Sequence, residues 1–558
     1  MVRTACVVAV SLVLGIVACA DAGAATSLHA NGATAHLRPP VATGTLRIDG
    51  ALRDGGWVRA AGLSWRPSKL PPGDRLLSFE VAYSWSSCGP RRCRPAADRT
   101  ATPFAARHYV VGHADTGRRL RLSVTATQVV ETDPATFSFS VIRAHRRVTT
   151  SAVVAAYPAG RRPSIQFLNG LPEWRTGSNA ENFQVTAPHH NAADGATRVT
   201  YRVDGSSWRL LPRTRVFGAR HLRPGPHHVV VRVANAAGVF RRSFGWRVQP
   251  LSAPAVCEAP CWAPPQLDSQ SRPMRWDWQI GRVTPLQRSG ARAVDIYDID
   301  GFLTTRPEIH AIHTAWPAAT LPHPRAVCYL DLAWEDYRPD ASPAAAFPAR
   351  TLGRVYYGYP QERWVDFRQL HALRPMLDAR IGMCARKGFD IVEFDDIDSF
   401  DPPKTTGFQL TPGDAQNYLA YADNRAHSMG LSVLWKNSPL LSWWGRRYSD
   451  GAVLEECYPY RQCTSSQLAG TRAYGIRCTL LSGRRPCGWD GFTSRGKWVG
   501  DAEYVEDHYV CAPSASCTGR HRYSAFCSSV QGTANGFAAV RFDVDLDGRV
   551  FQPCPSGR

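Results

Sequence analysis

Apolar and polar positions change period once, near the middle of the chain. From about Ala35 to Val148 they alternate in short runs, as in Ser78–Trp85 and Arg119–Ala126. A period of two predicts half-buried β-strands. The same pattern returns from about Pro163 to Val248, with a hairpin signal at Tyr201-Arg202-Val203-Asp204-Gly205 and a turn at Pro224-Gly225-Pro226. Two β-sandwich units are expected, at residues 35–148 and 160–249.

After a Pro-, Ala- and Cys-rich linker at 250–267, short continuous apolar runs alternate with helical stretches. The runs are Val294–Tyr297, Ala326–Leu330, Phe389–Val392, Leu431–Trp435, Ala452–Leu454 and Trp498–Val499; the clearest helices are Leu370–Lys387 and Ala415–Met429. Trp276–Ile280 and Gly536–Phe542 bring the strands to about eight. Repeating βα units over 268–558 predict a parallel (β/α)8 barrel.

One strand end in that half is chemically unusual. Phe389–Val392 runs into Glu393, Asp395, Asp396 and Asp398, four carboxylates within six residues. Like charges packed there cost stability, and such strain at a strand end is more often kept for chemistry than as a solvated loop. Other strands end similarly: Asp298 and Asp300 after the second, Asp331 and Glu335 after the third, and Lys436 and Asn437 after the fifth. Glu455 and Glu456 end the sixth and Glu503 the seventh. In a barrel these ends converge on one mouth. Trp276, Trp278, Trp334, Tyr337 and Trp435 lie among them and suit stacking on sugar rings, although any one alone is more often core.

The C-terminal half resembles the secreted endo-α-1,4-polygalactosaminidases, glycoside hydrolase family 114. The likeness runs from about Trp276 to Cys554 through Trp276-Asp277-Trp278-Gln279-Ile280, Tyr297-Asp298-Ile299-Asp300, Cys328-Tyr329-Leu330, Arg338-Pro339-Asp340 and Phe347-Pro348. It continues through Trp364-Val365-Asp366-Phe367-Arg368, Lys387-Gly388-Phe389-Asp390, Thr406-Gly407-Phe408, Gly430-Leu431-Ser432-Val433 with Lys436-Asn437, and Glu455-Glu456-Cys457-Tyr458-Pro459-Tyr460 with Cys463. The resemblance implies a catalytic pair at Asp395 and Glu455. Phe394 and Asp396 stand where the family usually has Pro and Asn, Leu454 stands where it has Asn, and the segment from about Tyr474 to Lys497 is longer. These departures bear on the substrate more than on the reaction.

A glycosidase needs one carboxylate and one carboxylic acid across the scissile bond. The implied substrate carries amino groups, so surplus mouth acids (Asp298, Asp300, Asp331, Asp396, Asp398) would hold a cationic chain. Trp276, Trp278, Trp435, Lys436, Asn437, Glu456 and Glu503 complete the expected binding set, with Lys436 as the counter-charge for Asp395. Strand counting puts Asp395 and Glu455 next-but-one, which leans toward inversion. The resemblance implies retention, with Asp395 as nucleophile and Glu455 as acid/base.

Of 558 residues 44% are hydrophobic and 20% charged, as in globular domains. The net charge of +20 sits entirely in residues 26–250, which hold 32 Lys+Arg against 12 Asp+Glu; residues 251–558 are neutral. Such a surface suits anionic cell-wall polymer or extracellular DNA, and equally a solubility surface built from arginine. With Tyr83-Ser84-Trp85, Cys88…Cys93 and Asp115-Thr116-Gly117, the first β unit resembles immunoglobulin-like modules of bacterial surface proteins, and the second resembles it in class.

Residues 1–25 read as an export signal, Arg3 preceding the apolar run Ala5–Val17. Ile16-Val17-Ala18-Cys19 resembles a lipobox that would lipidate Cys19; cleavage near Ala20–Ala25 would instead release the protein, and both stay open. A monomer at the outer face of a bacterial cell is expected. Fourteen of the 16 cysteines then read as disulfides, with local pairs Cys88/Cys93, Cys257/Cys261, Cys457/Cys463, Cys478/Cys487 and Cys511/Cys517, and with Cys527 closing onto Cys554.

No cofactor or metal is expected. Asp543-Val544-Asp545-Leu546-Asp547-Gly548 begins like a calcium loop, but Cys554 stands at the bidentate-glutamate position, so it reads as a turn. The competing function is a barrel that binds polysaccharide without cleaving it. It would need no paired Asp395 and Glu455.

Overall fold

The computed structural model describes residues 37–554 except 55, 73, 96–107, 134–137, 169–170, 188–189, 258–260, 282–285, 287–292, 336–337, 341–346, 357–358, 402–405, 459, 471–477, 479–486, 505–525, 529–535 and 544–545. The export segment, Tyr337 and the Cys511/Cys517 pair lie outside the described residues.

Eight parallel strands build the C-terminal half: β1 (Trp276–Gln279), β2 (Ile296–Asp300), β3 (Arg325–Asp331), β4 (Ile391–Asp395), β5 (Ser432–Lys436), β6 (Gly451–Glu455), β7 (Trp498–Tyr504) and β8 (Ala538–Phe542). They are neighbours in that order, and Gln552–Pro553 adds a short antiparallel edge to β8. The sheet curls back on itself, so that Nε1 of Trp276 on β1 donates to the carbonyl of Ala538 on β8 at 2.7 Å. The result is TIM-like. Gly500 leaves room for that closure, since a Cβ there would meet the Trp276 ring at 2.9 Å.

The strands are continuous apolar runs because helices and core cover both faces. Helix α1 (Arg306–Ala315) follows β2 and opens on a Thr305/Glu308 capping box; α3 (Pro412–Ser428) follows β4 and opens on Thr411/Asp414. Helix α2 (Leu370–Lys387) precedes β4 and ends on Gly388 at φ 93°, a left-handed stop that suits glycine. The predicted span of α2 matches the observed one. Between β3 and α2 the chain leaves the βα rhythm for a small antiparallel sheet of Trp334–Glu335, Leu352–Tyr356 and Tyr359–Val365. Cys328 on β3 pairs with Cys384 on α2, a bridge whose separation of 56 residues hid it from local spacing. The other five pairings among the described cysteines are those expected.

The N-terminal half is mostly β. Its first unit has a three-stranded sheet including Val41–Gly50 and Trp57–Arg66 and a four-stranded one including Arg75–Cys88 and Arg119–Asp133. Its core draws on both sheets, with Val58 and Tyr109 against Trp85, Leu122 and Val124. The second unit likewise combines three- and five-stranded sheets around Phe183, Phe217, Val231 and Trp246.

This second unit is docked on the barrel helices. Glu173 accepts from the backbone N–H of His371 (2.9 Å) and Ala372 (3.2 Å), capping α2, which has no side-chain cap of its own. Thr411 donates to the carbonyl of Ala180 at 3.1 Å, and Gly177 N–H to Asn417 at 3.0 Å. The segment read as a linker is also fastened: Tyr448 donates to Ser252 O (2.6 Å) and Ala255 N–H to Asn424 (2.8 Å).

Candidate active site

Strand parity sets which side chains reach the barrel interior. Parallel pairing places Trp278 beside Asp298, Tyr329 beside Glu393, Asp331 beside Asp395 and Glu455 beside Ala502. Paired residues share a face and alternate residues return to it. The inward set therefore includes Trp276, Trp278, Asp298, Asp300, Tyr329, Asp331, Glu393, Asp395, Lys436, Glu455 and Tyr504.

Lys436 is the centre of this set. Its Nζ lies 2.7 Å from Oδ2 of Asp395 and 2.9 Å from Oε2 of Glu455, so those two oxygens can be no farther apart than the two lengths laid end to end, about 5.6 Å. Burial would pull the ammonium's pKa down, but Asp395, Glu455 and Glu393 push it well above its ordinary value. The ammonium also lies 5.3 Å from the Trp278 ring centre. Asp395 accepts three bonds: from Lys436, from the Tyr329 hydroxyl at 2.7 Å, and on Oδ1 from the N–H of Asp396 at 2.7 Å. Glu455 accepts from the Tyr504 hydroxyl at 2.6 Å. Asn437, at φ 53°, holds the Glu455 N–H at 3.0 Å. Tyr329 and Tyr504 escaped the sequence reading because neither carries a charge to mark it.

One layer deeper, Asp298 and Glu393 are fully buried, and no other donor among the described residues reaches any of their four carboxyl oxygens. They bond to each other, which requires a proton between them. Burial lifts Asp298 to about 7 against the pull of that bond and of Lys436. Glu393 is raised as well, by burial and then by Asp298.

Several expected sugar contacts are corrected by this arrangement. Trp276 and Trp278 point inward but are fully buried, and their rings pack against each other and Phe542. Trp435 alternates with Lys436 and faces outward, donating to Asp423 of α3 at 3.1 Å beneath Trp444. None offers a face to a sugar. Glu503 alternates with Tyr504 and turns away from the barrel interior, 3.5 Å from Arg541. Asp298 lies below the mouth in its proton-sharing pair. Asp300 is at the mouth but pinned by Arg338 at 2.8 Å and by the N–H groups of Phe302 and Leu303.

Asp331, Asp396, Asp398 and Glu456 remain around the layer of Asp395, Lys436 and Glu455. Asp396 and Glu456 each follow a strand's last residue with positive φ, 56° and 51°. Burial first, then Glu335 and Asp395, raise Asp331 to about 8. Glu362, from the small antiparallel sheet, brings a carboxylate oxygen within 4.8 Å of those of Asp331 and Asp396. It was missed because its segment is no barrel strand.

The family model for glycoside-hydrolase family GH114 matches residues 252–557. The chain belongs to that family. It is a glycoside hydrolase. Among solved structures, Aspergillus fumigatus Ega3 in complex with galactosamine is similar at 20% identity, over 52% of this chain and 97% of that one, with a TM-score of 0.39. The glycoside hydrolase domain of PelA from Pseudomonas aeruginosa is similar at 12% identity, over 49% and 96%, with a TM-score of 0.32. No curated protein matches the chain. The GH114 match begins at residue 252, inside the segment read as a linker and just where Tyr448 and Asn424 fasten it to the barrel.

Proposed function

We propose that this GH114 member is an exported, monomeric, endo-acting hydrolase of α-1,4-linked galactosamine-containing polysaccharide, working with retention. The observation that carries the reading is Lys436 between Asp395 and Glu455, with their facing oxygens no more than about 5.6 Å apart. A retaining pair stands at roughly 5–5.5 Å and an inverting pair at roughly 6.5–9.5 Å. Strand counting measures backbones, whereas both side chains lean onto one ammonium, which supports the shorter separation.

Asp395 attacks the anomeric carbon while Glu455, which must carry a proton in the reacting complex, passes that proton to the departing glycosidic oxygen. A glycosyl ester of Asp395 forms as that bond breaks. Glu455, now a carboxylate, takes a proton from water; the water attacks the same carbon and the ester breaks. Lys436 and Tyr329 hold the Asp395 carboxylate in place, and Tyr504 orients Glu455. The acids around the mouth favour a chain bearing ammonium groups over a neutral or acidic one.

The immunoglobulin-like reading of the two β units, and their use as a tether to an anionic surface, belong to the same proposal. The +20 charge confined to them supports it.

The test is incubation of the full chain with polygalactosamine, chitosan and a neutral galactan, following product length and the anomer first released by NMR. Short oligomers from polygalactosamine with the α-anomer are expected. An inverted anomer would sink the retaining mechanism, and binding without cleavage would leave a polysaccharide-binding barrel.

A further inference from the structure

Three carboxylates of the mouth form a group that the two-carboxylate reaction does not use. Asp331 ends β3, Glu362 comes from the antiparallel strand Tyr359–Val365, and Asp396 follows β4. One oxygen of each lies within 4.8 Å of the others, and Asp331 and Asp396 are buried. Oδ2 of Asp396, a residue with 9% exposure, is buried without a hydrogen-bond partner among the described residues. The guanidinium groups closest in charge are committed elsewhere. Arg338 binds Glu335 (2.7 Å) and Asp300 (2.8 Å), while Arg380 binds Asp340 at 2.7 and 3.0 Å.

Three carboxylates, two of them buried, cannot all stay charged at this spacing without a cation or protons between them. A single ammonium would offset one charge of three. A doubly charged ion offsets two and accepts several oxygens at once. Oxygen ligands about 2.3–2.6 Å from a common centre stand up to roughly 5 Å from one another, which accommodates the observed spacing. Ligands from three separate elements, with water completing the shell, suit the irregular geometry calcium tolerates better than the strict octahedron magnesium demands.

We propose that Asp331, Glu362 and Asp396 bind a hard divalent cation, calcium by preference. The sequence had suggested no metal here, because Glu362 is separated from both partners by more than thirty residues of chain. The ion joins the antiparallel excursion to the ends of β3 and β4, beside Asp395. It thereby fastens one wall of the mouth next to the reacting carboxylate.

The experiment is calorimetric titration of the EDTA-treated full chain with calcium chloride at pH 7.5, with magnesium chloride and galactosamine hydrochloride as parallel titrants. One saturable calcium site per chain is expected, with a rise in Tm on calcium addition. Glu362→Gln, at a half-buried position where the amide fits, should weaken calcium binding at least tenfold. Asp396→Asn should do the same. No saturable calcium binding at millimolar ion would overturn the proposal, as would unchanged binding in both variants. Saturation by galactosamine but not by calcium, lost in Glu362→Gln, would reassign the group to an ammonium. None of these readouts depends on hydrolysis, so failure here is separable from failure of the glycosidase mechanism.

Discussion

The barrel mouth and the two β units each crowd one sign of charge, and they do so in opposite ways. In and just below the mouth, Asp331, Asp396, Asp298 and Glu393 are buried, with pKa values raised by desolvation and by neighbouring acids. In the β units, arginines such as Arg213 and Arg241 stand exposed on strand edges and loops, where water screens them. Charge held against its own desolvation cost reports on chemistry. Charge left in water reports at most on what drifts past it.

That contrast is tested most severely at its centre. Asp395→Asn and Glu455→Gln should each lower kcat by about 10²–10⁴-fold while the fold, read by circular dichroism, is kept. Full activity in either would remove that residue from the pair. Lys436→Met comes next, leaving two facing carboxylates without their counter-charge. A kcat loss of about 10²-fold is expected, with the acid limb of the pH–rate profile moved to higher pH because carboxylates deprived of a cation hold protons longer. An unmoved limb would mean that Lys436 only packs.

Stability measurements sharpen the comparison further. Trp435→Ala should cost about 3–5 kcal/mol in denaturant unfolding, as a buried outward-facing ring should, with kcat of the folded fraction little changed. A kcat collapse at unchanged stability would return Trp435 to the sugar. The Asp298–Glu393 pair makes a prediction in pH. Asp298 is raised from an unfolded value of roughly 3.9 to about 7, so the folded state binds the extra proton. Its contribution is present below about pH 4 and lost as pH rises through 7. Thermal melts should therefore fall between pH 5 and 8. Asp298→Asn, whose amide donates to Glu393 without titrating, should remove much of that fall, about 3 kcal/mol at pH 8. A parallel pH dependence in the variant would place the titration elsewhere.

The smallest effect lies in the β units. Arg213→Glu with Arg241→Glu should leave kcat on soluble polymer unchanged. It should weaken retention on an anionic polymer and flatten its salt dependence by about 0.7–0.9 per lost contact. Identical retention would make the charge a surface habit.

Removing the second β unit is a different matter from removing the first. Glu173 caps α2 and Ala180 meets Thr411, so the second unit supports the helices behind the site. No sequence pattern marks this docking, because a docked face and a free one show the same period of two.

Local physics settled a great deal in advance. Eight apolar runs separated by helical stretches implied the barrel, since parallel strands buried on both faces must read as continuous hydrophobics. Asp395, Lys436 and Glu455 were legible as strand ends, and cysteines a few residues apart announced their own loops. Parity along one strand was legible too: with Lys436 facing in, Trp435 had to face out, and treating both as mouth residues ignored the period of two. Distance and burial were not legible. That two side chains from next-but-one strands meet on one ammonium depends on the lean of three side chains, not on strand spacing. That Asp298 and Glu393 share a proton depends on the absence of any other donor within reach among the described residues. That Glu362 joins Asp331 and Asp396 depends on where an antiparallel excursion folds back. Each is a contact between residues far apart in sequence, decided by packing in three dimensions, which no local pattern encodes.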